Sequence, residues 1–255
     1  MTFSATAFNQ RTILVTGASS GIGLAAAEAF LKQGAQRVYL TGRDADKLAK
    51  VADQLGSRAI GIVADAADLD QIEHLKAEIE KNGDQLDVIF ANAGVAHYNA
   101  FGNTSAAEYG RIFDTNVRGV FFTVQTLLPL LKDGASIVLN ASIVTNKGMP
   151  GLSLYNASKA AVRSFARTLA NDLKARKIRV NAVSPGVTRT PIMENGLNMS
   201  AENIDAFHTY LAEAAPAGRM ASPDEIAATV LFLASDAASY VNGVELGVDG
   251  GLAQV

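Results

Sequence analysis

Seven short apolar runs, separated by longer amphipathic segments, constrain this chain more than any other feature. Thr12–Thr16, Arg37–Thr41, Ala59–Ala64, Leu86–Ala91, Ser136–Ala141, Ile178–Ser184 and Val244–Val248 read as strands. Ile22–Gln33, Ala45–Leu55, Leu69–Lys81, Ala106–Leu131, Tyr155–Arg176 and Pro223–Ala234 read as helices. Strand–helix alternation points to βαβ units, because parallel neighbours need a long crossover and a helix supplies it. The expected fold class is α/β: one doubly wound, parallel seven-stranded sheet with helices on both faces and right-handed connections. With 255 residues, 49% of them hydrophobic, the chain can fill one such domain. Residues 11–255 are assigned to it. Residues 1–10 form a small, polar N-terminal tail without the apolar stretch of a secretory signal.

One segment breaks the rhythm. Residues 185–222 separate the sixth run from the last helix and are rich in Pro, Gly, Asn and Met. A connection of that length inside a compact domain is usually functional, and this one reads as a lid interrupted by a short helix at Ala201–Ala214.

Composition narrows the functional classes. The net charge is −3 with both signs interspersed, so there is no electrostatic footprint for nucleic acid. There are no cysteines, which removes disulfides and thiolate nucleophiles. His74, His97 and His208 lack metal-ligand spacing, so no metal site is expected. The most apolar stretch, Val117 to Leu131, is interrupted by Arg118, Gln125 and Pro129 and is too short to span a bilayer. No membrane contact and a cytoplasmic location are expected.

Between the first strand and first helix lies Thr16-Gly17-Ala18-Ser19-Ser20-Gly21-Ile22-Gly23. Glycines at a strand–turn–helix junction allow backbone to approach a pyrophosphate at the helix N-terminus. Gly17, Ser19, Ser20, Gly21, Ile22 and Gly23 are therefore candidate dinucleotide contacts. The second run ends in Gly42-Arg43, where an NAD site carries an acid about 20 residues beyond the glycines to hold the ribose 2′-hydroxyl. A guanidinium there suits a 2′-phosphate instead, favouring NADP(H) over NAD(H). Asp65 and Ala66 follow the third run, with the Asp65 carboxylate placed to accept from the adenine amino group. Asn92, Ala93 and Gly94 follow the fourth run, at the carboxyl edge where open α/β sheets bind ligands.

Tyr155 and Lys159 stand four residues apart on an expected helix and so share one face. A cation beside a phenol makes it a better proton donor. Lowering a tyrosine from about 10 to about 7 takes roughly 4 kcal/mol. An exposed ion pair supplies only about 0–1 kcal/mol. The pair therefore belongs in a desolvated cleft beneath a closing lid.

These marks resemble those of the short-chain dehydrogenases/reductases in their ~250-residue form. They are Thr16-Gly17-x-x-x-Gly21-x-Gly23, Asn92-Ala93-Gly94, Asn116, Ser142, Tyr155-x-x-x-Lys159, Pro185-Gly186 and Val248-Asp249-Gly250-Gly251, spread over essentially the whole chain. The resemblance implies a Rossmann-type sheet and hydride transfer between the nicotinamide and a ketone or secondary alcohol. It implies that Ser142 bonds the substrate carbonyl, Tyr155 passes it a proton, and Lys159 holds the nicotinamide ribose and tunes the phenol. Asn116 would kink its helix and hold a relay water. Pro185, Gly186, Val187, Thr188 and Thr190 would seat the nicotinamide amide and the phosphates. Ser20 stands where some relatives carry a second cation for the 2′-phosphate, so the NADP reading rests on Arg43. Ser142, Ile143, Val144, Met149, Tyr155 and Met193 are the expected substrate pocket. That mostly apolar lining points to a neutral carbonyl compound.

Two other readings follow from the same resemblance. Some relatives reduce 3-oxoacyl groups on an acyl-carrier protein, using basic residues for which Arg176 and Lys132 are the counterparts. Others sense the dinucleotide without catalysis. A homotetramer built on the helices at Ala106–Leu131 and Tyr155–Arg176 and on the last strand is also implied.

Overall fold

The computed structural model describes residues 7–255. Its strands are β1 (Thr12–Val15), β2 (Arg37–Gly42), β3 (Ala59–Val63), β4 (Leu86–Ala91), β5 (Leu131–Asn140), β6 (Arg179–Pro185) and β7 (Glu245–Val248). All pair in parallel, in the order β3-β2-β1-β4-β5-β6-β7. The order reverses between β1 and β4, which opens a crevice at their carboxyl ends.

Strands buried on both faces show why the apolar runs are nearly continuous. Ile13, Val15, Val88 and Phe90 point to one face, where they meet helices α1 (Gly21–Lys32), α2 (Ala45–Leu55) and α9 (Pro223–Ala234). Leu14, Ile89 and Ala91 point to the other, against α3 (Leu69–Lys81), α5 (Gly119–Leu127) and α6 (Ser153–Asp172). The chain caps its helices locally. Asp44 and Asp68 accept from the first-turn amides of α2 and α3, while Ser105 with Glu108 and Ser222 with Glu225 form capping boxes.

The structure departs from the sequence expectation in two places. Residues 7–10, assigned to the tail, pack with the domain: Phe8 is fully buried edge-on against Phe30, and its amide bonds the Gln33 carbonyl. The helix expected over Ala106–Leu131 is not continuous. Helix α4 (Ala106–Phe113) runs into a π turn at Asp114–Arg118, α5 ends at Leu127, and Leu131 already pairs with Leu86 in the sheet. A Cβ on Gly119 would lie 2.3 Å from the Ala66 carbonyl oxygen, so the helix resumes hard against the loop after β3.

The long segment after β6 holds α7 (Ile192–Asn195) and α8 (Ala201–Ala214). Met193, Ile204, Leu211 and Met220 form a separate small core with Ile143 and Leu252.

Candidate active site

A cleft of about 850 Å3 lies at the carboxyl ends of the strands, and the segment after β6 forms one of its walls. Every residue expected from sequence to bind cofactor or substrate lines it, except Gly23, which lies behind the glycine turn.

At the cofactor end the main chain does the shaping. Gly17 has φ +64°, and a Cβ there would sit 2.9 Å from the Ala93 Cα. A Cβ on Gly23 would sit 2.4 Å from the Gly17 carbonyl oxygen, so helix α1 presses directly on the turn. Asn92 does more than the sequence reading gave it. Its Nδ2 donates to the carbonyls of Thr16 (2.9 Å) and Gly17 (3.1 Å), and its Oδ1 accepts from Asn140 Nδ2 at 2.8 Å. Thr16 Oγ1 accepts the amides of Asn92 and Ala93, both at 3.0 Å. β1, β4 and β5 are thus locked together beneath the glycines. The result is a preformed backbone turn at the N-terminus of α1, the kind of place that favours an anion such as a pyrophosphate.

Gly42, Arg43, Asp44 and Lys47 form the rim at the end of β2. Arg43 is exposed there. Asp44, the acid nearest to it in sequence, is engaged with the Lys47 amide at 2.9 Å. Lys47 adds a second cation to the rim that the motifs did not reveal. Asp65 is held by its own loop, its Oδ1 accepting from the Ala67 amide at 2.9 Å.

Tyr155 and Lys159 project one turn apart from α6 beside Ser142, which opens the short 3₁₀ turn Ile143–Thr145 after β5. Lys159 is 4% exposed; its Nζ donates to the Asn140 carbonyl at 2.7 Å and lies 5.8 Å from the Tyr155 ring centroid. A Cβ on Gly94 would be 3.3 Å from that Nζ and from Asn116 Oδ1, so a side chain there would crowd the ammonium. Burial pushes the Tyr155 phenol up, opposed by a hydrogen bond from Ser142, and lowers Lys159 to about 8. Of the pair, Lys159 is buried, while Tyr155 is half-buried and lines the cleft. Burial by itself favours the neutral phenol, and a nearby positive charge would favour the ionised one.

Asn116 is fully buried in the π turn that interrupts the helix. It does not line the cleft. Its side chain is occupied: Oδ1 accepts from the Val95 amide (2.8 Å), and Nδ2 donates to the Val95 carbonyl (2.8 Å) and Ser158 Oγ (3.0 Å). It fixes the loop after β4 against α6. His97 lies 3.9 Å from Glu108 and does not line the cleft. Among the described residues no cluster of His, Cys, Asp or Glu could hold a metal ion.

At the substrate end, Ile143, Val144, Met149 and Met193 are joined by residues the motifs missed: Tyr98, Leu152, Leu197, Met199 and Phe207. Their signal is weak because most come from loops. Phe207 was legible in principle, since Ile204, Phe207 and Leu211 share one face of α8.

Comparison with known proteins agrees with this arrangement. The family described as Enoyl-(Acyl carrier protein) reductase matches residues 17–253. Versicolorin reductase stcU of Emericella nidulans is 35% identical, over 94% of this chain and 95% of that protein. The structure of a short-chain dehydrogenase/reductase from Brucella melitensis superposes with a TM-score of 0.91 at 35% identity, covering 100% of both chains. L-sorbose reductase from Gluconobacter frateurii, solved with NADPH and L-sorbose, gives a TM-score of 0.90 at 28% identity, over 98% and 99% of the two chains. The fold and site define a nicotinamide-dependent oxidoreductase. The chain belongs to the short-chain dehydrogenase/reductase family.

Proposed function

We propose that this oxidoreductase is an NADP(H)-dependent carbonyl reductase that transfers hydride between the nicotinamide and a neutral ketone or secondary alcohol. The observation that carries the reading is the convergence of Ser142, Tyr155 and Lys159 in one desolvated cleft beside the glycine cradle. The cofactor, once bound, supplies the hydride. The Ser142 hydroxyl orients the substrate oxygen and Tyr155 donates the proton to it in reduction. Lys159 keeps one proton on the Asn140 carbonyl and has two more N–H groups for the ribose and the relay. Its charge offsets the upward push of burial on the phenol. The walls from Tyr98, Met149 and Met199 exclude water from the reacting carbonyl and act, with the segment at 185–222, as a lid.

The rim supports NADP(H). Arg43 and Lys47 line it, and Asp44 there already accepts the Lys47 amide. An NADPH complex of a structural neighbour agrees with this choice. For the substrate, the methionine- and aromatic-lined end favours a neutral, hydrophobic ketone, and a relative is named versicolorin reductase.

A carrier-protein substrate is less well supported. Arg176 is bound to the Leu128 and Leu131 carbonyls and to Asp133, and Lys132 to Asp87 at 2.9 Å. Those cations are already engaged. A dinucleotide sensor would not need the reacting trio. The homotetramer and the cytoplasmic location are further parts of the proposal; no helix among the described residues is long and apolar enough to cross a membrane.

The test is the initial rate of NADPH and NADH oxidation with neutral cyclic ketones, quinones and a 3-oxoacyl thioester. Turnover is expected with NADPH well above NADH. Tyr155→Phe should keep cofactor binding and lose about 100- to 10,000-fold in kcat. A Tyr155→Phe enzyme of near-normal rate would sink the proposal.

A further inference from the structure

One carboxylate outside the reacting set is built into the frame of the site. Glu245, at the start of β7, has a side chain only 12% exposed. Its Oε1 accepts from Thr145 Oγ1 at 2.5 Å and from Ser184 Oγ at 2.7 Å. Its Oε2 accepts from Asn146 Nδ2 at 3.2 Å and lies 3.6 Å from Arg163 Nη1. Arg163 in turn donates to Asn146 Oδ1 at 2.7 Å.

Each partner belongs to a segment that carries part of the chemistry. Thr145 and Asn146 end the turn that begins at Ser142, and the Thr145 amide closes that turn on the Ser142 carbonyl at 3.1 Å. Arg163 lies one helical turn beyond Lys159 and two beyond Tyr155 on α6. Ser184 immediately precedes Pro185 and Gly186, which line the cleft. An acceptor-only group is required to hold three such donors at once, and a carboxylate has the lone pairs for it. A buried carboxylate is otherwise costly, so its hydrogen bonds must be nearly complete to persist. Apart from its hydrogen bond to Tyr155, the Ser142 hydroxyl meets only the Val144 amide, at 3.5 Å, so its position depends on the turn that carries it.

We propose that Glu245 is a positioning residue for Ser142: by gripping Thr145 and Asn146 from β7, it fixes the catalytic turn against the helix that carries Tyr155 and Lys159. The inference rests on the reading of Ser142 and Tyr155 as reacting groups given above. Glu245 does not line the cleft, and it lies outside the motifs named above.

The experiment is steady-state kinetics with NADPH and the best ketone, alongside thermal melts, for Glu245→Leu, Glu245→Gln, Thr145→Val, Ser184→Ala and Tyr155→Phe. A loosened turn displaces the serine by a fraction of an ångström, which costs about tenfold in kcat for Glu245→Leu while leaving the KM for NADPH within about twofold. Glu245→Gln retains the Oε1 acceptor for Thr145 and should recover part of that loss. Thr145→Val cuts the turn-side bond and should lower kcat about three- to tenfold. Ser184→Ala removes a bond to the same oxygen from the strand side, so it should lower the melting temperature and leave kcat within about twofold.

The proposal is overturned if folded Glu245→Leu and Thr145→Val enzymes keep wild-type kcat. It is equally overturned if Ser184→Ala lowers kcat as much as Thr145→Val, because the network then acts only through stability. Should Glu245→Leu fail to fold, the Thr145→Val and Ser184→Ala pair still decides. A near-normal Tyr155→Phe enzyme would instead defeat the underlying reading, which keeps the two failures distinct.

Discussion

The two ends of the cleft are built from different materials. The cofactor end is main chain: glycines too crowded for a Cβ, carbonyls clamped by Asn92, and strand ends tied by Thr16. The substrate end is side chain: methionines, Phe207 and Leu197 on short helices and loops, resting on a small core separate from the two that flank the sheet. Backbone geometry tolerates almost no substitution, whereas flexible side chains can be exchanged one by one. One end is therefore expected to be fixed in what it binds, and the other open to remodelling without harm to the first.

The sharpest way to break that contrast is at Gly23. Because its Cβ would meet the Gly17 carbonyl oxygen at 2.4 Å, Gly23→Ala must push α1 off the turn. The expected result is a folded protein, destabilised by about 1–3 kcal/mol, that has lost detectable dinucleotide binding by calorimetry. Unimpaired binding would mean the cradle is softer than the side-chain end, and the contrast would fail.

Lys159 stands at the seam between the two ends, and its burial is a property of the protein alone. Its pKa is lowered from 10.5 to about 8 in the fold, so between these values the unfolded chain holds the proton that the native state has released. Stability therefore rises with pH across that window. Tyr155, raised above 10, opposes the rise once the unfolded chain's tyrosine begins to ionise. Urea melts of the cofactor-free protein at pH 8 and pH 10 should show wild type gaining up to about 3 kcal/mol relative to Lys159→Met. No difference would mean that the seam is wet and that desolvation arrives only with the ligand.

The same contrast explains what the sequence revealed. Backbone cradles demand glycines at fixed spacing, so Gly17, Gly21 and Gly23 announced themselves, as did the alternation that builds a two-faced parallel sheet. The π turn at Asp114–Arg118 did not, because it answers to contacts distant in sequence: Gly119 on Ala66, and Asn116 on Val95 and Ser158. Leu131–Gly134 looked like a helix end and loop, yet Leu131 pairs with Leu86, so tertiary pairing overrode local pattern. Phe8 was hidden among polar neighbours. Met199 and Leu197 face the cleft only because α7 and α8 pack on Ile143 and Leu252, a contact no spacing encodes.

Arg43 tests whether any side chain matters at the cofactor end. It sits exposed on the rim, so its attraction to a 2′-phosphate is screened but not cancelled. Arg43→Ala should lower the NADPH-over-NADH ratio of kcat/KM about 10- to 100-fold, mainly through the KM for NADPH. A smaller change would assign the discrimination to Lys47, the other rim cation, and the double variant would then carry the full loss.

The smallest effect is expected from the other end. Phe207 lines the cleft from α8 and stacks on Tyr210 at 5.8 Å, packed against the small core without belonging to the sheet layers. Truncating it removes apolar wall without touching the glycine turn, the clamps of Asn92 or the tyrosine–lysine pair. Phe207→Ala should therefore raise the KM for a hydrophobic ketone about three- to tenfold, as expected for roughly 1 kcal/mol of lost contact, with the KM for NADPH moved by less than about twofold. Parallel losses in both constants would show that the wall over the substrate also holds the nicotinamide in place, and that the two ends, however differently built, close as one.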